Sequence, residues 1–501
     1  MSSTSTSAAG NLSANLSIME LPVVLTDLFG RAQRPLLPGA QGPVGLFVRY
    51  LRRKPERGLA VIYTVDELRS THKNRSNDPN RSVSLTLSEQ ALDGAHICFT
   101  AFDAQEATVE LRASGVLRAR NLGLSVQRFP ADDSLPALAA SCDTTPQGPL
   151  FEALQTAART QLHDASWRLV SATAEPVRYK PASRCVIRYY LQLEHAGEAA
   201  PKTLTIFGKV YANPGQAGSV QALQQQLYDE QAKSGDAPFL PRTLGMIDSL
   251  GLTFNEAVQP TEAHVTDEHW GKLRTGTRVF QPQIVRGRGG SIAQIIVPEE
   301  ELRLTAQALA RLHTSSVHPG EGALRTGAKE AKRARERAAL IAGRNPAQAE
   351  EVQQLAQQLA ERLGALQPEA YLPAHGGFKS SQLLFHSQRV FVVDFDGFCL
   401  ADPALDVGYF LAYLRPSGLW YHRSGMRQWF EDAAEVFRSE YRQAMSTRGV
   451  TQGTLDSILD RSRLYEAALL FKIATRRVNR LNSPRPQELS IMLREIANCL
   501  T

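Results

Sequence analysis

His375-Gly376-Gly377-Phe378-Lys379-Ser380-Ser381-Gln382-Leu383-Leu384, followed by Val393-Asp394-Phe395-Asp396, is the stretch from which the fold can be read. Residues 383–385 and 389–393 are short apolar runs on either side of His386-Ser387-Gln388, and this spacing predicts a β-hairpin with a tight polar turn. Such a hairpin sets Gln382, where one strand begins, beside Asp394, where the other ends. An amide oxygen next to a carboxylate is a hard oxygen site, suited to Mg²⁺ bridging the phosphates of a nucleotide. The plainer alternative is a buried hairpin whose polar ends merely cap it, and either segment alone would favour that.

Together the two segments resemble the aminoglycoside phosphotransferase and choline kinase superfamily. Its pattern is His-x-Asp, then Asn or Gln five residues after that Asp, then a strand ending in Asp. His375, Gln382 and Asp394 match, but Gly377 stands where the catalytic base is expected. The resemblance implies an α+β protein-kinase-like bilobal fold with a β-rich N-lobe and a mainly helical C-lobe. It also implies ATP and Mg²⁺ as cofactors, Gln382 and Asp394 as metal ligands and His375 as a catalytic-loop residue. Gln at position 382 and the segment Asp394-Phe395-Asp396-Gly397 are similar to the maltokinase and glucosamine kinase branches, which tilts the acceptor towards a sugar or aminosugar. Those branches keep the catalytic Asp.

The next segment, Asp402-Pro403-Ala404-Leu405-Asp406-Val407, is similar to the superfamily's Asp-Pro-x-x-Asp-Leu. The resemblance implies that Asp406 opens a helix and ties it to the catalytic loop. Standing just before the apolar run 407–414, Asp406 is also a good N-cap, a structural role. Upstream, Leu302, Ala306, Leu309 and Ala310 have the spacing of a helix with one buried face, ending in Leu309-Ala310-Arg311-Leu312-His313, similar to the family's Leu-Ala-x-Leu-His. A single His at a helix end is more often a capping or core residue than a catalytic one, so His313 receives no chemical role.

N-terminal to these, residues 185–191 and 203–211 read as β-strands. The second carries Lys209, and a lysine inside an apolar strand is costly unless an anion balances it. The resemblance implies that Lys209 grips the α- and β-phosphates and that a helix Glu pairs with it. Glu230, in the predicted helix 220–233, is the candidate. Residues 252–258 are then the strand leading into the hinge.

The 501 residues exceed what one domain normally uses, and 43% apolar content is ample for sizeable cores. The expected organisation is a disordered tail at 1–16, an extra α+β N-terminal domain at 17–165, the kinase-like N-lobe at 166–262 and the C-lobe at 263–501. Residues 48–63 share with 177–189 a Lys-Pro and an Arg just before a hydrophobic strand, so a degenerate second copy of the nucleotide lobe and a coincidence of sheet-edge chemistry both remain open. If the copy is real, this region is where a substrate or protein partner would dock. Gln147-Gly148-Pro149 marks the linker.

A net charge of +6 spread over this length is no polyanion signature, and the basic run 325–337, interleaved with Glu330 and Glu336, reads as a solvated helix face. No nucleic-acid or membrane partner is expected. Five scattered cysteines without a Cys-x-x-Cys suggest neither zinc nor a disulfide framework, and a cytoplasmic location is the default. Arg286-Gly287-Arg288-Gly289-Gly290-Ser291 lacks the full phosphate-loop pattern and reads as a flexible loop. Leu464, Ala468, Phe471, Thr475 and Val478 predict a C-terminal helix, and Trp420, Tyr421 and His422 are candidates for the substrate pocket or for aromatic packing.

The function expected from these residues is ATP-dependent phosphoryl transfer to a hydroxyl or amine of a small molecule. Asp396 is the nearest carboxylate that could substitute for the base missing at Gly377. Two alternatives stand beside it: a pseudokinase that binds nucleotide through Lys209, Gln382 and Asp394, and a nucleotidyl transferase on the same fold.

Overall fold

The structure is a computed structural model. It describes residues 44–54, 58–67, 82–87, 92–93, 98–99, 109–111, 117–119, 124–198, 200–258, 273–320, 322–478 and 485–501. The tail at 1–16 and the continuation of the hinge beyond 258 lie outside the described residues. The chain forms two compact units, one of residues 1–218 and 244–254, the other of residues 219–243 and 255–501.

Besides a two-stranded ladder, Leu92–Asp93 with Cys98–Phe99, the described residues of the first unit form two larger sheets. One has six strands in the order Val44–Lys54, Gly58–Glu67, Ser82–Leu87, Leu124–Arg128, Leu117–Ala119, Val109–Leu111. The other has five, ordered Thr243–Ile247, Leu252–Glu256, Lys202–Tyr211, Arg184–Glu194, Arg168–Lys180. In Arg184–Glu194 every second residue, Cys185, Ile187, Tyr189, Leu191 and Leu193, is buried, the period of a strand with one face on a core. Gly208 is required where it sits, because a Cβ there would come within 2.6 Å of the Tyr189 ring on the neighbouring strand.

The two Lys-Pro segments do form matching hairpins. Lys54 pairs with Gly58 and Lys180 with Arg184, the same separation in both, and in both sheets a third strand pairs with the second.

The compact units do not divide at residue 165. Phe129, Leu135, Leu138, Leu150 and Leu154 lie in the same core as Ile187, Tyr189, Ile206 and Phe254. Polar contacts reinforce this: the Tyr179 hydroxyl donates to Asp132 at 2.7 Å and accepts from Gln127 at 3.1 Å, and the Tyr189 hydroxyl donates to the Ser141 carbonyl. The helix Pro149–Leu162, which begins at the expected linker, therefore serves as a core layer of the sheet.

The second unit is mainly helical. Helices Glu299–His313, Gly327–Ala342, Ala349–Gly364, Ala404–Leu414, Met426–Ser446, Gln452–Val478 and Leu489–Leu500 share one core. Leu302, Ala306, Leu309 and Ala310 are buried as their spacing predicts, and so are Leu464, Ala468, Phe471 and Val478. The glycine-rich segment at 286–291 is no loose connector but the tip of an antiparallel hairpin, Gln283–Arg286 with Ile292–Ile296, turned by Gly289 and Gly290 at φ 73° and 81°.

Candidate active site

The catalytic-loop hairpin forms as the sequence requires. Leu383–His386 pairs antiparallel with Arg389–Val392, and Ser387 and Gln388 both have positive φ, the two-residue turn whose twist matches a right-handed β-ribbon. The Val393 amide donates to the Gln382 carbonyl at 3.0 Å, which brings the two ends together. Gln382 Nε2 donates to Asp394 Oδ2 at 3.4 Å. Gln382 Oε1 is buried and has no hydrogen-bond partner among the described residues.

The strand does not continue through Asp394. Asp394 adopts a left-handed conformation (φ 73°, ψ 54°), and Phe395–Gly397 then forms a 3-10 turn, so the strand alternation that would oppose Asp396 to Asp394 does not apply. Asp is among the few residues that tolerate this backbone, and such outliers cluster at ligand sites.

Three groups pin the loop. Asp406 Oδ2 accepts the His375 backbone amide at 2.6 Å, and Oδ1 accepts the Phe378 amide at 3.5 Å. His313 Nε2 lies 3.6 Å from Asp406 Oδ2, and His313 Nδ1 meets the Tyr441 hydroxyl at 2.7 Å. Full burial works to raise the Asp406 pKa, but the imidazoles of His313 and His375 and the donated amide outweigh it, leaving the carboxyl below its ordinary value. Burial depresses the His375 pKa, which keeps the ring neutral, and its Nε2 stands 3.2 Å from the Val393 carbonyl. A neutral ring donates there, so His375 steadies the residue before Asp394 while its Nδ1 is left buried and unpartnered.

Asp406 thus ties its helix to the loop, as the resemblance implied, but it is not the N-cap. The helix begins at Ala404 with Pro403 at the N-cap position, and Asp402, just before it, accepts the Ala404 amide at 3.0 Å. Arg461 grips Asp402 with two nitrogens, at 2.7 and 3.1 Å. His313, given no role from sequence, is a buried positioning residue behind Asp406.

The two loop glycines differ in kind. Gly376 has φ 69°, and a Cβ there would lie 2.1 Å from the Gly397 carbonyl oxygen, so no other residue fits without backbone movement. At Gly377 the backbone is ordinary and the nearest atom to a built Cβ is His375 Nδ1 at 4.0 Å. A Cβ is therefore sterically admissible at position 377.

Other sequence readings change. Glu230 accepts from Ser315 Oγ at 2.5 Å and from the Ser316 amide and hydroxyl at 2.7 and 2.6 Å, which commits its carboxylate to the exit of helix Glu299–His313. Lys209 lies on the strand face away from the core, with its Nζ 4.9 Å from the centre of the Tyr211 ring.

The basic run is not wholly a solvated face. Glu330 is fully buried, and after the opposing effect of burial Arg325 and Arg333 hold its pKa down at about 2. Arg325 also donates to the Gly376 carbonyl and to the Tyr409 hydroxyl, and so belongs to the catalytic loop. Trp420 is core, Tyr421 is exposed, and His422 lines a cleft of about 730 Å³ with Arg423, Arg427 and Arg494.

Among the described residues no group of three or more His, Cys, Asp or Glu is placed to hold a metal ion, and no helix is long and apolar enough to cross a membrane. A pair of protein oxygens is nonetheless what Mg²⁺ commonly uses when phosphates and water complete its shell. The side chains of Gln382 and Asp394, in contact through Gln382 Nε2 and with Gln382 Oε1 buried and unpartnered, supply donors of the kind such an ion takes.

Residues 285–444 match the Phosphotransferase enzyme family. No curated protein matches the sequence. The solved structures similar to the chain include a choline/ethanolamine kinase family protein from Mesorhizobium loti, at 14% identity over 62% of this chain and 83% of that one, TM-score 0.36. A glucosamine kinase in complex with glucosamine, ADP and inorganic phosphate is 16% identical over 99% of this chain and 100% of that one, TM-score 0.43. Choline kinase from Cryptosporidium parvum is 10% identical over 66% of this chain and 88% of that one, TM-score 0.40.

Proposed function

We propose, from the premise that residues 285–444 belong to the phosphotransferase enzyme family, that the protein is an ATP- and Mg²⁺-dependent phosphotransferase. It acts on a hydroxyl or amine of a small molecule through an atypical catalytic loop. The observation that carries this reading is the Gln382 amide held against Asp394 through its Nε2, with its Oε1 buried and unpartnered. A divalent ion held by these two oxygens would offset phosphate charge as it redistributes in the transition state.

The chain's own residues do the positioning. Asp406 holds the loop by its amides, and His375 holds the Val393 carbonyl and so sets the backbone from which Asp394 projects. Lys209 is the candidate for the nucleotide's α- and β-phosphates. Phosphoryl transfer passes through a loose transition state, so most of the rate comes from such positioning rather than from proton removal. A general base is worth about 10²- to 10⁴-fold. Its loss at Gly377 therefore slows the reaction without forbidding it, and Asp396, two residues past Asp394, is the substitute in this reading.

The open space at Gly377 favours a second reading, a nucleotide-binding pseudokinase with the N-terminal region holding a partner. Nucleotidyl transfer is the third. Incubation with Mg-ATP and pooled metabolites separates them by product: ADP for phosphoryl transfer, AMP or pyrophosphate for nucleotidyl transfer. For an enzyme, Gly377→Asp raises turnover by about 10²-fold or more and Asp394→Ala abolishes it. Absence of turnover in both wild type and Gly377→Asp, with ATP still raising the melting temperature, rejects the enzyme in favour of the pseudokinase. If ATP gives no shift, the nucleotide site itself is misassigned.

A further inference from the structure

We propose that the face shared by helices Ala404–Leu414 and Gln452–Val478, beside the catalytic loop, is a subsite for a phosphate group carried by the phosphoryl acceptor. The proposal deepens the phosphotransferase reading and rests on it.

Four cations converge there on two tyrosine rings. Tyr409 and Tyr413 are one turn apart on the first helix, and Lys472 and Arg476 one turn apart on the second. Lys472 Nζ lies 5.7 Å from the centre of the Tyr409 ring, and the Arg325 guanidinium carbon 5.1 Å from it. Lys379 Nζ lies 5.8 Å from the centre of the Tyr413 ring, and Arg476 donates to the Tyr413 hydroxyl at 3.1 Å. Two of the four belong to the reaction centre: Arg325 donates to the Gly376 carbonyl, and Lys379 is two residues beyond Gly377.

The charges do not balance around Lys472. It makes no hydrogen bond or ion pair among the described residues. Glu330, the carboxylate bonded to Tyr409, is already shared by Arg325 and Arg333. Burial first, and then Arg476, Arg337, Arg325 and Lys379, push the Lys472 amine down to about 7. Gathering like charges in a partly buried place opposes folding, and a dianion among them reverses the sign of every one of these interactions. Arg325 is already engaged by Glu330, Gly376 and Tyr409, so the groups that would take the anion are Lys472 and Arg476, and phosphate, with two charges and several acceptor oxygens, fits that pair better than a neutral sugar does. An unmodified aminosugar would add a fifth cation.

The acceptor is thus a phosphorylated small molecule with a free hydroxyl or amine. Its oxygen or nitrogen bonds to the terminal phosphorus of ATP, the bond from that phosphorus to the bridging oxygen breaks, ADP leaves, and the acceptor's proton passes to a carboxylate or to water.

Inorganic phosphate is the probe, titrated calorimetrically into the intact chain with and without Mg-ADP. The expected result is saturable binding in both conditions. Lys472→Met and Arg476→Gln should each weaken it by about tenfold or more with the cooperative melting transition retained. No binding, or unchanged affinity in both variants, overturns the subsite. Displacement of phosphate by Mg-ATP but not by Mg-ADP overturns the acceptor assignment, since the anion held is then the nucleotide's own terminal phosphate. Asp394→Asn keeps the two readings apart: it should lose the ATP-induced thermal shift yet bind phosphate as wild type does. A wild type with no ATP shift rejects the phosphotransferase reading, while the phosphate titration still judges the subsite by itself.

Discussion

At the scale of single residues, the adjacent glycines of the catalytic loop carry opposite messages. Gly376 is dictated by its backbone and by the Gly397 carbonyl packed against it, whereas nothing in the local geometry demands Gly377. Gly376→Ala is accordingly expected to cost about 2 kcal/mol or more in urea unfolding, and Gly377→Ala to stay within about 0.5 kcal/mol. Equal losses in both variants would mean that position 377 has a structural constraint of its own. The motif residues His375, Gln382 and Asp394 were legible in the sequence because local chain geometry brings them together. Asp406 reads as a cap because it precedes an apolar run, but its carboxylate is committed to the amides of His375 and Phe378, 31 and 28 residues away, which local pattern does not record. The burial of Glu330 is hidden from local pattern in the same way, since its partner Tyr409 lies 79 residues away.

At the scale of elements, helix Gln452–Val478 was predictable from its apolar spacing, while the cationic stripe on its other side was not. Lys472 and Arg476 gain meaning only against Tyr409, Tyr413, Arg325 and Lys379, which other segments supply. The Lys472 amine titrates near 7 in the fold, against an ordinary value of 10.5, because of burial and then the surrounding Arg476, Arg337, Arg325 and Lys379. Tyr409, raised to about 12 chiefly by burial, stays neutral alongside it. The unfolded chain therefore holds more protons than the folded one between pH 7 and 10.5, and this site makes wild-type stability rise with pH across that window. Lys472→Met removes the penalty. In phosphate-free buffer it is expected to be more stable than wild type by about 2 to 4 kcal/mol at pH 6.5, with the difference shrinking as the pH approaches 10. A variant less stable than wild type at pH 6.5 would show that the amine supports the fold, contrary to a lysine kept for a ligand.

At the scale of the whole molecule, the resemblance places a boundary near residue 165, and the packing places none there. Sequence patterns identify strands and helices one at a time, but which of them share a core depends on contacts that no local periodicity records. Phe129, Leu135, Leu138, Leu150 and Leu154 fill the sheet that carries Lys209, and the Tyr179 and Tyr189 hydroxyls are satisfied by Asp132 and Ser141. A chain cut to begin at residue 166, the expected start of a kinase-like N-lobe, would lose all of these at once. At about 2 kcal/mol for each large side chain the loss is roughly 10 kcal/mol, as much as the entire stability of a typical domain. The truncated protein is expected to be insoluble, or to lack a cooperative melting transition in this unit and any ATP-induced shift, when the full chain has both. Recovery of a soluble 166–501 fragment that binds ATP like the intact protein would show that the sheet around Lys209 stands without the N-terminal region. That region would then be free to serve only a partner, as the second reading of the site requires.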